Sequence, residues 1–163
     1  MIKATIDVKD FGQMHFELDE NAAPITVDNF VTLAESGFYD GLGFCRIVKG
    51  FVIQGGSKTN SISGGSDHTI KGEFQANGVD NPLKHVKGTL SMARSQDPDS
   101  AGTQFFVMLE DAPHLDGQYA AFGTMTDGFD VLAKIGEVET TSADDWNRPY
   151  HMPIMENVTI SRD

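Results

Sequence analysis

The stretch Phe44-Cys45-Arg46-Ile47-Val48-Lys49-Gly50-Phe51-Val52-Ile53-Gln54-Gly55-Gly56 decides how the rest of the chain is read. Residues 43–54 are rich in β-branched and aromatic types and carry Lys49-Gly50 in their middle. That pattern predicts strand interrupted by a tight turn. A cation in such a run is ordinarily a rim residue whose head reaches water. Arg46 and Gln54 are eight positions apart, an even separation that puts both side chains on one face of a regular strand. A turn between them breaks that count, so the shared face has to be tested in three dimensions. Gln104 and Phe106 share a face by the same rule. One guanidinium, two glutamines and the rings of Phe51 and Phe106 would make an apolar pocket with one strong donor. Such a pocket suits binding and polarising a neutral peptide better than breaking a bond in it.

Outward from this stretch the pattern is mostly β. Ile2, Ala4, Ile6 and Val8 alternate with polar residues, as do Met14, Phe16 and Leu18. Period two in both runs predicts half-buried strands, and Asp10-Phe11-Gly12 between them predicts a hairpin turn. Pro24 opens a helix where its missing N–H costs little. Val27, Phe30, Val31 and Ala34 recur at helical spacing, and Gly37 ends the element. Residues 55–88 are rich in Gly, Ser and Asn, with only Thr69-Ile70 hinting at strand. A loop of that length is often functional. Strands are predicted over 88–93, 103–109, 119–125 and 154–160. A second helix is predicted near 128–135, with Asp127 as its N-cap. Strands with two helices fit a closed β-barrel capped at its ends, which removes exposed strand edges. They are also compatible with an open α+β sheet.

The bulk properties set limits. The chain has 163 residues, enough for one domain over 1–163 with a real core. Its formal charge of −12 repels phosphate backbones, which argues against nucleic acid as a general partner. Cys45 is the only cysteine, so no internal disulfide can form. The N-terminal residues lack a continuous apolar core of the signal-peptide kind, and no apolar run approaches a membrane span. The expected compartment is the cytoplasm, and nothing argues for more than a monomer.

Other chemistries fare poorly. The five histidines are scattered without metal-ligand spacing, and Asp97-Pro98-Asp99-Ser100 reads as a solvated loop. Cys45 beside Arg46 invites a lowered thiol pKa, but adjacent strand residues face opposite ways and no histidine is placed as its base. The glycine pairs match neither phosphate-binding fingerprint. No metal and no cofactor is expected.

Three separated motifs then resemble one family. They are the 44–56 stretch; Gly88-x-Leu90-Ser91-Met92-Ala93 with Gly102-Thr103-Gln104-Phe105-Phe106; and Leu115-Asp116-Gly117 with Phe122-Gly123. Together with Asn147-Arg148-Pro149 and the 154–160 strand, they resemble the cyclophilins, peptidyl-prolyl cis-trans isomerases, across essentially the whole chain. The compact form resembles single-domain bacterial members. The resemblance implies an eight-stranded antiparallel barrel capped by two helices, with the groove on its outside. It implies catalysis of rotation about X–Pro bonds in peptides and in unfolded or folding proteins. In this reading Arg46 is the catalytic guanidinium, and Gln54 positions it and meets substrate backbone. Phe51, Phe106 and Leu115 floor and wall the proline pocket, while Ala93, Arg94 and Gln104 line the groove for the residues before proline. Four positions depart from the best-known pattern. Val52 stands for methionine, Arg94 for asparagine, His114 for tryptophan and Tyr119 for histidine. The missing indole at His114 implies weak cyclosporin binding. A module that captures proline segments, or a general chaperone with incidental turnover, is the alternative from another class.

Overall fold

The computed structural model describes residues 1–162. Eight strands form one antiparallel sheet: β1 (Ile2–Val8), β2 (Gly12–Leu18), β3 (Arg46–Val48), β4 (Val52–Gly55), β5 (Thr89–Met92), β6 (Phe105–Met108), β7 (Ala121–Asp127) and β8 (Met155–Arg162). Their spatial order is β3-β4-β6-β5-β7-β2-β1-β8. The hairpin of β1 and β2 pairs Ile2 with Leu18 through Val8 with Gly12. Its alternating apolar residues Ala4, Ile6, Val8, Met14, Phe16 and Leu18 are all buried. Helices α1 (Pro24–Glu35) and α2 (Phe129–Gly136) complete the main elements.

The expected closed barrel is not formed. The sheet curls into a half-barrel whose edge strands β3 and β8 do not pair as strands. The seam between them is laced by the segment ahead of β3: Gly41 N–H donates to Met155 O, Met155 N–H to Leu42 O, and Phe44 N–H to Pro153 O. Beyond that lacing, Ile47 of β3 donates instead to Asn147 O, so the 147 loop takes the place a neighbouring strand would fill. β3 therefore begins at Arg46 rather than at 43, and Gly43 contributes only an isolated bridge to Ile154. Part of each edge is thus satisfied without closure, in keeping with the need of buried backbone groups for partners.

Two apolar clusters lie on opposite faces of β4 and β6. Ile53, Phe105 and Val107 point into the main core beside Phe30, Tyr39 and Phe122. Val52, Phe106 and Met108 point the other way, into a smaller cluster with Ala112 and Leu115. Burial on both faces explains why Phe105-Phe106-Val107-Met108 is apolar without alternation. The inner face holds the fold, and the outer face carries the site.

Helix α1 starts at Pro24 and buries Val27, Phe30, Val31 and Ala34, as its spacing predicts. No local side chain caps it. The buried carboxylate of Glu73 does so from far along the chain, accepting from Ile25 N–H, Thr26 N–H and Thr26 Oγ1–H. Gly37 follows the helix at φ +79°, the left-handed conformation that glycine adopts at least cost. The N-cap of α2 is Gly128 at φ +95°, not Asp127, whose carboxylate accepts from the Gly128 N–H while its backbone closes β7. Added bulk at Gly128 would meet the carbonyl of Gln13, so close backbone approach selects glycine there.

Candidate active site

β3 and β4 form a hairpin in which Arg46 is paired with Gln54 and Val48 with Val52. The turn reverses the chain through Gly50 at φ +72°, closed by Phe51 N–H donating to Val48 O. Arg46 and Gln54 do share a face, but as cross-strand partners rather than as residues of one continuous strand. Directly opposed side chains on an antiparallel pair lie about 4.5–5.5 Å apart at Cβ. Arg46 Nη1 accordingly donates to Gln54 Oε1 at 3.2 Å.

The orientation of that pair is fixed from behind. Gln104 Nε2 donates to the carbonyls of Ile62 and Gly64 at 3.2 and 3.1 Å. Its Oε1 is thereby turned toward Gln54, whose Nε2 donates to it at 3.0 Å. Gln54 must then present Oε1 to the guanidinium. The 60s loop, two amides and Arg46 form one ordered relay of donors and acceptors. The other guanidinium N–H groups of Arg46 have no acceptor among the described residues.

Arg46, Gln54, Phe51, Val52, Phe106 and Leu115 surround a cavity of about 190 Å³ on the outer face. Ala93, Arg94 and Tyr119 complete its wall. Phe106 is 5% exposed and meets Tyr119 edge-on at 5.8 Å between centroids. His114 does not line this cavity; it lies outside it, stacked on Phe51 at 6.0 Å and 21°. Gln104 lines a second cavity of about 500 Å³ with Ile62, Gly64, Thr69 and Thr103. The two cavities share Gln54, Ala93 and Arg94, so one groove runs through both.

Behind Phe106 sits a polar assembly that strand and helix periodicity does not mark. His85 is buried and stacks on Phe106 at 6.0 Å and 23°. Its Nε2 lies 2.9 Å from Ser91 Oγ and its Nδ1 3.1 Å from Asp116 Oδ1. Asp116 also accepts the His85 backbone N–H at 2.6 Å. Burial pushes the imidazole pKa down, and the Asp116 hydrogen bond opposes that only in part. Burial pushes the Asp116 carboxyl up, but the hydrogen bonds from His85 outweigh it and the net direction is down.

The remaining candidates are placed elsewhere. Cys45 is buried just ahead of β3, and burial pushes its thiol pKa up, the reverse of the lowering that its neighbour suggested. Asp99 accepts from Gly72 N–H and Asn77 Nδ2–H, a loop clip. No cluster of three metal-ligating side chains exists among the described residues, and no helix is long and apolar enough to cross a membrane. Trp146, singled out by no spacing rule, is 63% exposed at φ +62°.

Residues 3–160 match the family described as cyclophilin type peptidyl-prolyl cis-trans isomerase/CLD. A peptidyl-prolyl cis-trans isomerase of Helicobacter pylori is 46% identical over 126 residues, 76% of this chain and 74% of that protein. Peptidyl-prolyl cis-trans isomerase B of Bacillus subtilis is 45% identical over 123 residues, covering 76% and 82%. Among solved structures, a Cryptosporidium parvum cyclophilin type isomerase, crystallised in the presence of the dipeptide Ala-Pro, superposes with a TM-score of 0.88. It is 30% identical and the match covers 99% of both chains.

Proposed function

Because this chain belongs to the cyclophilin-type peptidyl-prolyl cis-trans isomerases, we propose that Arg46 is the group that lowers its rotational barrier. X–Pro isomerisation takes tens to hundreds of seconds unaided, because resonance stiffens the C–N bond. Millisecond turnover requires roughly 10⁴–10⁵-fold acceleration, about 5–7 kcal/mol off the barrier. As the amide twists, the prolyl nitrogen becomes pyramidal and its lone pair localises. A donor aimed at that nitrogen interacts with the twisted state more strongly than with the planar one, and that difference is what accelerates rotation.

The relay from the 60s loop through Gln104 and Gln54 carries this reading. It holds one edge of the Arg46 guanidinium and leaves the rest for substrate. Arginine suits the role because it stays charged and presents a fixed donor fork. The pyrrolidine ring sits against Phe51, Phe106 and Leu115, with Val52 as a smaller apolar floor and Tyr119 as the far wall. Excluding water there strengthens the hydrogen bond from Arg46. Gln54 meets the substrate backbone, Ala93, Arg94 and Gln104 flank the residues before proline, and His114 borders the groove beyond Phe51. No step needs a nucleophile, a metal or a proton transfer.

The substrates are X–Pro segments of peptides and of folding proteins. The protein acts as a monomeric cytoplasmic domain spanning 1–163, and cyclosporin binds it weakly. Arg46→Ala tests the central assignment. It lowers kcat/KM for an Ala-Pro peptide by at least about tenfold, since one charged donor at the transition state is worth a few kcal/mol. Unchanged turnover by exchange NMR in a folded variant overturns it.

A further inference from the structure

The geometry points to Arg94 as a positioning residue that fixes the wall shared by the two cavities, and not as a receptor for an acidic substrate side chain. This rests on the isomerase reading above and assigns a specificity role within that same groove.

Four of the five guanidinium N–H groups of Arg94 are taken by the protein itself. Nε and Nη2 both donate to Gln118 O, at 3.2 and 2.6 Å. Nη1 donates to Ser95 O at 2.9 Å and more weakly to Gln96 O at 3.4 Å. Its plane is flanked by two rings, with the central carbon 4.8 Å from the Phe74 centroid and 4.7 Å from that of Tyr119. Phe74 is 2% exposed and belongs to the main core, so one side of this arrangement is anchored. The other side, Tyr119, meets Phe106 edge-on in the smaller cavity. The clasp therefore fastens the chain leaving β5 to the Gln118 turn. It also sets the ring that borders the proline-sized cavity.

Only a planar fork does this. Lysine keeps the charge but offers a flexible point donor with no face to lie between two rings. It cannot reach three carbonyls on two segments at once. Loss of the fork frees residues 94–96 and Tyr119 together, and both cavities lose their common wall. A peptide that occupies both should then suffer more than one that occupies only the smaller.

The test compares the parent chain with Arg94→Lys and Arg94→Gln by exchange NMR. The peptides are a two-residue Ala-Pro unit and one extended by two residues before it. We expect the KM of the extended peptide to rise at least about fivefold in Arg94→Lys, and clearly more than that of the short one. Equal effects on both lengths, or a fall in kcat with KM unmoved, overturn the assignment. In the second arm, Glu-Pro and Ala-Pro peptides are compared in Arg94→Gln, and their kcat/KM ratio should stay within about twofold of the parent's. A selective loss of the Glu-Pro peptide makes Arg94 a charge receptor and overturns the positioning role. An absence of turnover in the parent chain is a failure of the isomerase reading instead, visible before any variant is made.

Discussion

Gln54 stands between Arg46 and Gln104, accepting from the guanidinium at 3.2 Å and donating to the second amide at 3.0 Å. It is the link through which backbone carbonyls of the 60s loop determine where the Arg46 guanidinium points. Gln54→Met keeps the length and removes both hydrogen bonds. A hydrogen bond to a charged group contributes about 1.5–3 kcal/mol, so kcat/KM for an Ala-Pro peptide should fall roughly tenfold or more. Gln54 is half-buried on the outer face, so thermal stability should move little. A variant with parental kcat/KM would show that Arg46 holds its pose without the relay.

His114 stacks on Phe51 but offers an imidazole where the best-known family members carry an indole. His114 is exposed, so the position accepts a larger ring without disturbing the core. His114→Trp should tighten cyclosporin at least about tenfold in titration calorimetry, through added apolar contact and an indole N–H donor. Nanomolar binding by the parent chain would remove the premise.

Glu73 supplies from a distance what α1 lacks locally. Three donors at the start of the helix converge on its carboxylate, which is 3% exposed. Glu73→Ala leaves the buried N–H and hydroxyl of Thr26 without an acceptor and removes an anion from the positive end of the helix. Each such loss costs about 1–3 kcal/mol. Urea unfolding should show a stability decrease of at least about 2 kcal/mol. A loss under roughly 0.5 kcal/mol would mean that water replaces the carboxylate.

The fold and half the site were legible because local pattern coincides with burial. Alternation exposed β1 and β2, and helical spacing with Pro24 and Gly37 exposed α1. Arg46, Phe51, Gln54 and Phe106 lie together, although the even count from 46 to 54 reached the right face through the wrong geometry. Closure was misjudged because it depends on whether a three-residue β3 meets β8 or the 147 loop, a non-local competition that leaves no periodic trace. The same holds for His85, Ser91 and Asp116, which lie within or beside motifs yet converge only after folding. Glu73 was invisible for that reason too, since its partners are nearly fifty residues away.

The buried imidazole of His85 makes stability depend on pH in a defined direction. Burial lowers its pKa below the ordinary 6.5, despite the hydrogen bond to Asp116. The unfolded chain therefore takes up a proton near pH 6.5, while the folded chain resists until the pH is lower. His85's contribution is complete above about 6.5 and is lost as pH falls from there through the folded value. Asp116, held below the ordinary 3.8, keeps its own contribution until the solution is more acidic still. Unfolding free energy measured in urea should thus decline between pH 7.5 and 5, well before carboxylates titrate. His85→Gln retains a polar side chain between Ser91 and Asp116 but cannot titrate. Whatever its absolute stability, its decline over that interval should be shallower than the parent's. Parallel curves for the two proteins would assign the dependence to another group. Because His85 backs Phe106, protonation should also disturb the pocket floor, so kcat/KM of the parent should fall only at lower pH than its stability, as the folded imidazole itself titrates, while that of His85→Gln stays nearly level.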